Sequence, residues 1–373
     1  MEVAFEWGSS GGGEDWVSRA VRYAAVVAAA ALATGCAGAS HQAAAPAPVS
    51  VPGATTTGAV AQLGIDVYWH TPGSPSSVSA AAAPILDYVT SLHANSVALA
   101  FPIFTDGDHP TRVYTDPAST PDPATLRVLI DAAKGRGLRV AIRPIIDEAN
   151  IATVPGRWRG SIVPADTGAW FASYRSVLDP YLGAAQAAHA DEFVLGTELN
   201  SLIEAPQWQD VQTDASSRFH GVLSYADNWD AWVKGRAPKA ISDIGLDAYP
   251  PFNLPDSASV DRLTASWTAW LRQRSVATLQ DTVIQEVGIP AQSGAYRIPY
   301  SWGTGGAAID PEVQQKWFAA ACQSARSLGM AGLYYWSVSS TDPMDGHSDS
   351  PGSFVGRGDS AVKACFASPW KVG

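Results

Sequence analysis

The sequence predicts a single (β/α)8 barrel preceded by a signal peptide and a flexible linker, and three observations carry that prediction. Strand-like and helix-like segments alternate along most of the chain, eight such pairs can be counted, and no shorter internal repeat competes with them. Alternation of this kind means parallel strands joined by crossover helices.

The first strand is expected at residues 63–69, with its helix at 79–92. The second strand, 96–101, leads through a long loop to a helix at 123–135. Thr120-Pro121-Asp122 supplies the cap of that helix, and Leu126, Leu129, Ile130 and Ala133 recur at helical spacing. The third strand is 138–145, followed by a loop with Trp158 and a long helix at 167–188. The fourth strand, 192–196, ends at Thr197-Glu198 and precedes a helix at 206–219. The fifth is 221–225, with a brief helix at 230–234. The sixth, 241–247, runs into Tyr249-Pro250-Pro251, and its helix places Leu263, Trp267, Trp270 and Leu271 on one face. The seventh, 282–285, ends at Glu286; a Gly-rich loop then precedes a helix at 311–328. The eighth strand is 332–336, and a last helix is expected at 359–366.

Composition bounds the function. Of 373 residues, 46% are hydrophobic and 16% charged, a balance that fits one large core and excludes a disordered chain. The formal charge is −11 with no run of Lys or Arg, which argues against nucleic acid or an anionic membrane surface as partner. A neutral glycan is compatible with that charge, and fourteen Trp and twelve Tyr offer faces on which sugars stack, although aromatics also fill cores.

The first 36 residues read as an export signal. Arg19 and Arg22 precede an apolar stretch at 23–32, too short to span a bilayer. Ala33-Thr34-Gly35-Cys36 resembles the lipobox of bacterial lipoproteins, in which the cysteine is acylated; an ordinary cleaved signal is the alternative. Glu2, Glu6, Glu14 and Asp15 do not suit the positive start of a signal, so translation is expected to begin near Val17. Residues 37–61 form an Ala/Pro/Thr/Gly-rich linker and 62–373 the catalytic domain. In an oxidising compartment, Cys322 and Cys365 are left as a disulfide pair, with two separate buried thiols as the alternative. The chain is thus expected to be extracytoplasmic, a cell-surface lipoprotein or else secreted, with no membrane association beyond the lipid anchor, and a monomer.

Active sites of such barrels lie at the C-terminal ends of the strands. The residues there are Trp69 and His70, Arg143 and Asp147, Glu198, Asp227 and Asn228, Tyr249, Glu286 and Trp336. Glu198 and Glu286 each terminate an apolar strand, where an ionisable group is costly unless it has a task or a partner. Two carboxylates across a pocket are what glycosidic cleavage needs: one protonates the leaving oxygen, the other attacks or activates water. The competing reading is a structural ion pair, with Arg143 as the cation.

From residue 64 to 366 the sequence resembles glycoside hydrolase family 113. The resemblance rests on Thr120-Pro121 with Leu126, Gly137-Leu138-Arg139-Val140, Arg143-Pro144 with Asp147, and Trp158-Arg159-Gly160 with Trp170-Phe171 and Tyr174. Further along it rests on Gly196-Thr197-Glu198-Leu199, Tyr225-Ala226-Asp227-Asn228-Trp229, Gly245-Leu246-Asp247-Ala248-Tyr249-Pro250, Glu286-Val287-Gly288 and Trp336. It implies a retaining, β-1,4-mannanase-like hydrolase with Glu198 as acid/base and Glu286 as nucleophile. Retention implies carboxyl groups about 5–5.5 Å apart. Tyr249 is then expected to hydrogen-bond the nucleophile, Trp336 to floor the sugar, Arg143 to assist near the nucleophile, and Trp69 and Asp147 to line the groove. The wider clan often has Asn immediately before the acid/base, contacting the sugar 2-hydroxyl. Here Thr197 stands in that place, and Asn228 is a candidate for the contact.

Other signals are weaker. The seven His are scattered without metal-ligand spacing, so neither a metal nor a cofactor is expected. Gly303-Thr304-Gly305-Gly306 lacks the Lys of a phosphate loop, and Asp342, Asp345 and Asp349 miss the helix-loop-helix calcium pattern. The competing functions are a lipid-anchored glycan-binding protein without catalysis, a retaining hydrolase of another β-glycan, and a barrel of unrelated chemistry. The last would want a Lys or metal ligands at strand ends, and none stand there.

Overall fold

The computed structural model describes residues 60–302, 306–346 and 348–373. The expected signal segment with Cys36, the linker through residue 59, and three of the four residues of the Gly303–Gly306 stretch lie outside the described residues.

Eight parallel strands close on themselves: β1 (Gln62–Tyr68), β2 (Ser96–Thr105), β4 (Arg139–Ile146), β5 (Glu192–Thr197), β6 (Val222–Asn228), β7 (Asp243–Asp247), β8 (Val283–Val287) and β9 (Gly332–Ser339). Each pairs in parallel with the next, and β9 returns to pair with β1, so the barrel has no free edge. A two-residue strand, β3 (Val113–Tyr114), adds an antiparallel step to the far end of β2. It was not legible in the sequence, because two residues carry no periodicity.

The helices around the barrel begin where capping chemistry allows. Side chains of Ser74, Asp122 and Asp166 accept from backbone N–H groups in the first turns of α1 (Pro75–Ser91), α2 (Pro123–Lys134) and α3 (Thr167–Ala187). α4 (Trp208–Arg218) and the single turn α5 (Trp229–Trp232) flank β6. Ser259 caps α6 (Val260–Leu271), and Ser275 caps α7 (Val276–Asp281), a six-residue helix too short to be read from pattern. α8 (Pro311–Ser327) and α9 (Asp359–Phe366) complete the layer, and Cys322 and Cys365 join them in a disulfide with Cα atoms 6.0 Å apart. Among the described residues no helix is long and apolar enough to cross a membrane.

The main core lies between barrel and helices, where Ile65, Val67, Val97, Leu99, Phe101, Val140 and Ile142 meet Leu126, Leu129, Leu178, Trp267 and Trp317. Strand alternation sends the intervening residues inward. There the lower barrel holds Ala98, Ala141 and Tyr334, with a buried polar knot in which Glu192 accepts from Ser224 Oγ at 2.7 Å and Gln285 Nε2 at 2.9 Å. Glycine is needed where this interior is tightest: a Cβ on Gly64 would lie 2.1 Å from the Tyr334 ring.

Candidate active site

Glu198 follows β5 directly, and Glu286 is the penultimate residue of β8. The strands that present them are irregular at those points. β5 carries one extra residue between Val194 and Thr197, β8 one between Ile284 and Val287, and β9 one between Tyr335 and Val338. Such bulges re-aim side chains and gather beside active sites. In β8 the bulge lets two consecutive residues face inward, Gln285 to the polar knot and Glu286 to the upper site. In β9 it falls at Trp336, whose peptide bond to Ser337 is cis.

Glu286 is buried and held by two donors. Arg143 Nη2 donates to Oε1 at 2.8 Å and Tyr249 O–H to Oε2 at 2.5 Å. Arg143 also donates to Asp247 at 3.0 and 3.2 Å, to Asp66 at 3.3 Å and to the Gln285 carbonyl at 2.8 Å. One guanidinium thus faces three buried carboxyl groups. Burial pushes Asp66 and Asp247 well above the usual carboxylate range despite Arg143, and the neighbouring Glu286 pushes them further. Arg143 is held charged by Asp247, Glu286 and Asp66 although burial opposes it. Burial, and then Glu286, raise Tyr249, so its phenol stays a donor.

Glu198 has a different environment. Arg159 Nη1 donates to Oε2 at 2.7 Å, while Arg159 Nε donates to the Ile146 carbonyl and its other nitrogen pairs with Glu148 at 3.4 Å. Burial raises the Glu198 carboxyl to about 7; Arg159 pulls it down, and Glu286 and Glu148 push it up. Its backbone is also unusual, with φ +56°, a left-handed conformation costing of order 1–3 kcal/mol for a non-glycine residue and concentrated at functional sites. The bond from Glu198 N–H to the Ala226 carbonyl at 2.9 Å and that from Leu199 N–H to Tyr225 Oη at 2.9 Å hold it there.

The structure gathers the expected residues with one correction of identity, at Trp69, and places Arg143 and Tyr249 beside Glu286 as expected. Trp69 does not line the groove. Gly64, Asp66 and Tyr68 point inward, so Trp69 faces outward, is 2% exposed and donates its indole N–H to the Thr71 carbonyl. Tyr68 takes its place: it donates to Asp147 Oδ2 at 3.2 Å and its ring lies 5.8 Å from that of Trp336. Arg143 is 1% exposed and both its terminal nitrogens donate to protein groups, so it anchors Glu286 rather than touching a ligand. Tyr249 likewise acts on Glu286. Asp147 and Trp336 are half-buried beside Tyr68, and His70 Nε2 lies 3.0 Å from Ser339 Oγ. Asn228 ends β6 with its Oδ1 buried and without a hydrogen-bond partner among the described residues, as is Thr197 Oγ1.

Arg159, Asp66 and Tyr68 were missed as site residues. Arg159 opens a three-residue 3-10 turn, too short for a period to mark direction, and the signal for it was its place between Trp158 and Gly160. Among the described residues no group of three or more His, Cys, Asp or Glu could hold a metal ion.

Residues 69–352 match Glycoside Hydrolase Family 113. The chain is similar in structure to a GH113 β-1,4-mannanase solved as a complex, with TM-score 0.69 and 20% identity over 83% of this chain and 99% of that one. It is similar also to the GH113 β-mannanase of Alicyclobacillus acidocaldarius in complex with ManMIm, with TM-score 0.67 and 18% identity over 82% of this chain and 97% of that one. At these identities the likeness establishes the shared barrel. No curated protein matches the chain.

Proposed function

Because the chain belongs to glycoside hydrolase family 113, and is therefore a glycoside hydrolase, we propose that it cleaves β-1,4-linked mannan internally by a retaining double displacement. The observation that carries this reading is the contrast between its two strand-end carboxyl groups. Glu286 sits between a guanidinium and a phenol, each donating to one of its carboxyl oxygens and fixing it in place as the nucleophile. Glu198 holds its proton to about pH 7, as an acid must.

In the first step Glu286 attacks the anomeric carbon as Glu198 gives its proton to the departing glycosidic oxygen. A covalent glycosyl ester on Glu286 and a free reducing-end fragment result. In the second step Glu198, now ionised, takes a proton from water; the hydroxide attacks the anomeric carbon, and the Glu286 carboxylate leaves. Two inversions give net retention. Trp336 floors the sugar at the cleavage point, and Asn228 at the end of β6 is the candidate to read its 2-hydroxyl, the group at which mannose and glucose differ. The Cys322–Cys365 disulfide supports an extracytoplasmic setting.

The test is reducing-end release from mannan, glucomannan, xylan, β-glucan and galactan, with the first-formed anomer read by NMR. Release from mannan with the β-anomer formed first, abolished in Glu286→Gln, is the expected result. Release only from another polymer would reassign the substrate, and an α-anomer formed first would remove retention. Glycan binding without release would favour a non-catalytic binding protein.

A further inference from the structure

Tyr300 is 48% exposed, the only aromatic among the large hydrophobic side chains left exposed in the described residues. A large apolar ring facing water needs an explanation. It lies in the loop between β8 and α8, which also exposes Ile298 at 37% and Ile309 at 47%. The exposure is not fraying, because the loop is pinned at its base. Tyr296 is fully buried, stacks on Trp317 at 5.9 Å and donates to the Val313 carbonyl, and Gln292 bridges to Ile309.

The loop reaches the catalytic face at two points. Trp302 sets its ring edge-to-face on Tyr249, 5.8 Å between centroids, and Tyr249 holds Glu286. The Tyr300 ring lies parallel to Trp229, 6.0 Å between centroids with planes 8° apart. Trp229 follows Asn228 at the end of β6, the strand next to the one that ends at Glu198. With one face against Trp229, nearly half of Tyr300 remains open.

We propose that Tyr300, backed by Trp229, is a stacking platform for a sugar ring on the leaving-group side of the cleavage point. This rests on the hydrolase reading above. The acid delivers its proton to the leaving oxygen, so the departing sugar lies on the Glu198 side, over β5 and β6. The glycone rests on Trp336 and Tyr68, over β9 and β1. A flat ring with an open face beside β6 matches the apolar face of a pyranose, and its hydroxyl stays in water.

The test compares β-1,4-mannohexaose, which fills both sides, with a β-glycosyl fluoride, whose leaving group is a single atom. In the full-length protein, Tyr300→Ala should lower the ratio of kcat/KM for the hexaose to that for the fluoride by roughly tenfold, and Tyr300→Phe should restore it. An unchanged ratio, or an equal fall in Tyr300→Phe, would overturn the platform. Calorimetric binding of the hexaose to Glu286→Gln, with and without Tyr300→Ala, reads the platform without turnover. There a roughly tenfold loss of affinity is expected, and equal affinity would overturn it. A protein that binds the hexaose through Tyr300 yet never cleaves it would sink the hydrolase reading alone.

Discussion

Arg159 sets a cation against Glu198, the group that gives up a proton in the proposed mechanism, and that opposition has a measurable consequence. Burial raises Glu198 to about 7, and Arg159 is the main influence holding it from rising further. The alkaline limb of kcat/KM should therefore fall near pH 7 in the wild type and move upward in Arg159→Gln, while Arg159→Lys keeps the limb close to its original place. A drop in rate, roughly tenfold or more, with no displacement of the limb would mean that Arg159 only positions Glu198. Stability follows the same group. The unfolded chain loses this proton near 4.5 and the folded protein near 7, so the folded form loses stability as pH rises between those values and bears the full cost above them. Glu198→Gln should raise Tm at pH 8, by the equivalent of roughly 1–3 kcal/mol, and leave it little changed at pH 4. An equal gain at both pH values would remove the ionisation argument. At this scale the sequence disclosed Glu198, Glu286 and Tyr249, because each stands at a strand end where the barrel rule assigns it a direction. It misplaced Trp69 by one residue, since the inward parity of β1 is fixed only by its partners, and it could not aim Arg159 from a three-residue 3-10 turn.

Strands and helices were legible where they were long enough to show a period. The cap at Asp122, the apolar stripe of α2 and the whole of α9 fall where composition put them. The ends of β2 and β6 did not, because β2 runs on through Pro102, a residue that usually ends a strand, to Thr105, and β6 continues past its apolar run through Asp227 to Asn228. Backbone pairing with β4 and β7 carries them on. The bulges in β5, β8 and β9 are invisible to any alternating pattern, since each inserts a residue that inverts the parity after it. The element most open to test is the link between α8 and α9. Cys322 and Cys365 are 43 residues apart, and closing a loop of that length restricts the unfolded chain by at most about 4 kcal/mol. The double Ser variant should lose roughly 2–4 kcal/mol and several degrees of Tm, with kcat at 25 °C retained, because both helices lie on the outer layer. Loss of kcat at 25 °C in a variant that remains folded would mean that α9 supports the catalytic face after all.

A closed barrel ties fold to the proposed catalysis, because the strand that completes the ring also carries Trp336, the proposed sugar floor. β9 pairs with both β8 and β1, and its inward side presents Tyr334 below and Trp336 above. Tyr334 fits only because Gly64 stands opposite: the nearest ring atoms lie 2.1 Å from where a Cβ would be. The ring is itself buried, and its hydroxyl donates to Gln62 Oε1 at 2.9 Å, so it has little room to withdraw. Gly64→Ala therefore overpacks the seam at which the barrel closes. It should cost about 1–3 kcal/mol and lower Tm by several degrees. Because Trp336 lies two residues along the same strand, kcat should fall in the same protein at temperatures where it is fully folded. Gly183→Ala is the control. That glycine is exposed within α3, a Cβ there meets nothing within 4 Å, and the change should raise stability by about 0.5–1 kcal/mol with kcat untouched. If Gly64→Ala loses stability while kcat holds, strain at the seam is absorbed before it reaches Trp336, and closure and catalysis are separable. If both fall together while Gly183→Ala changes neither rate nor substrate range, the seam between β1 and β9 is part of the catalytic apparatus.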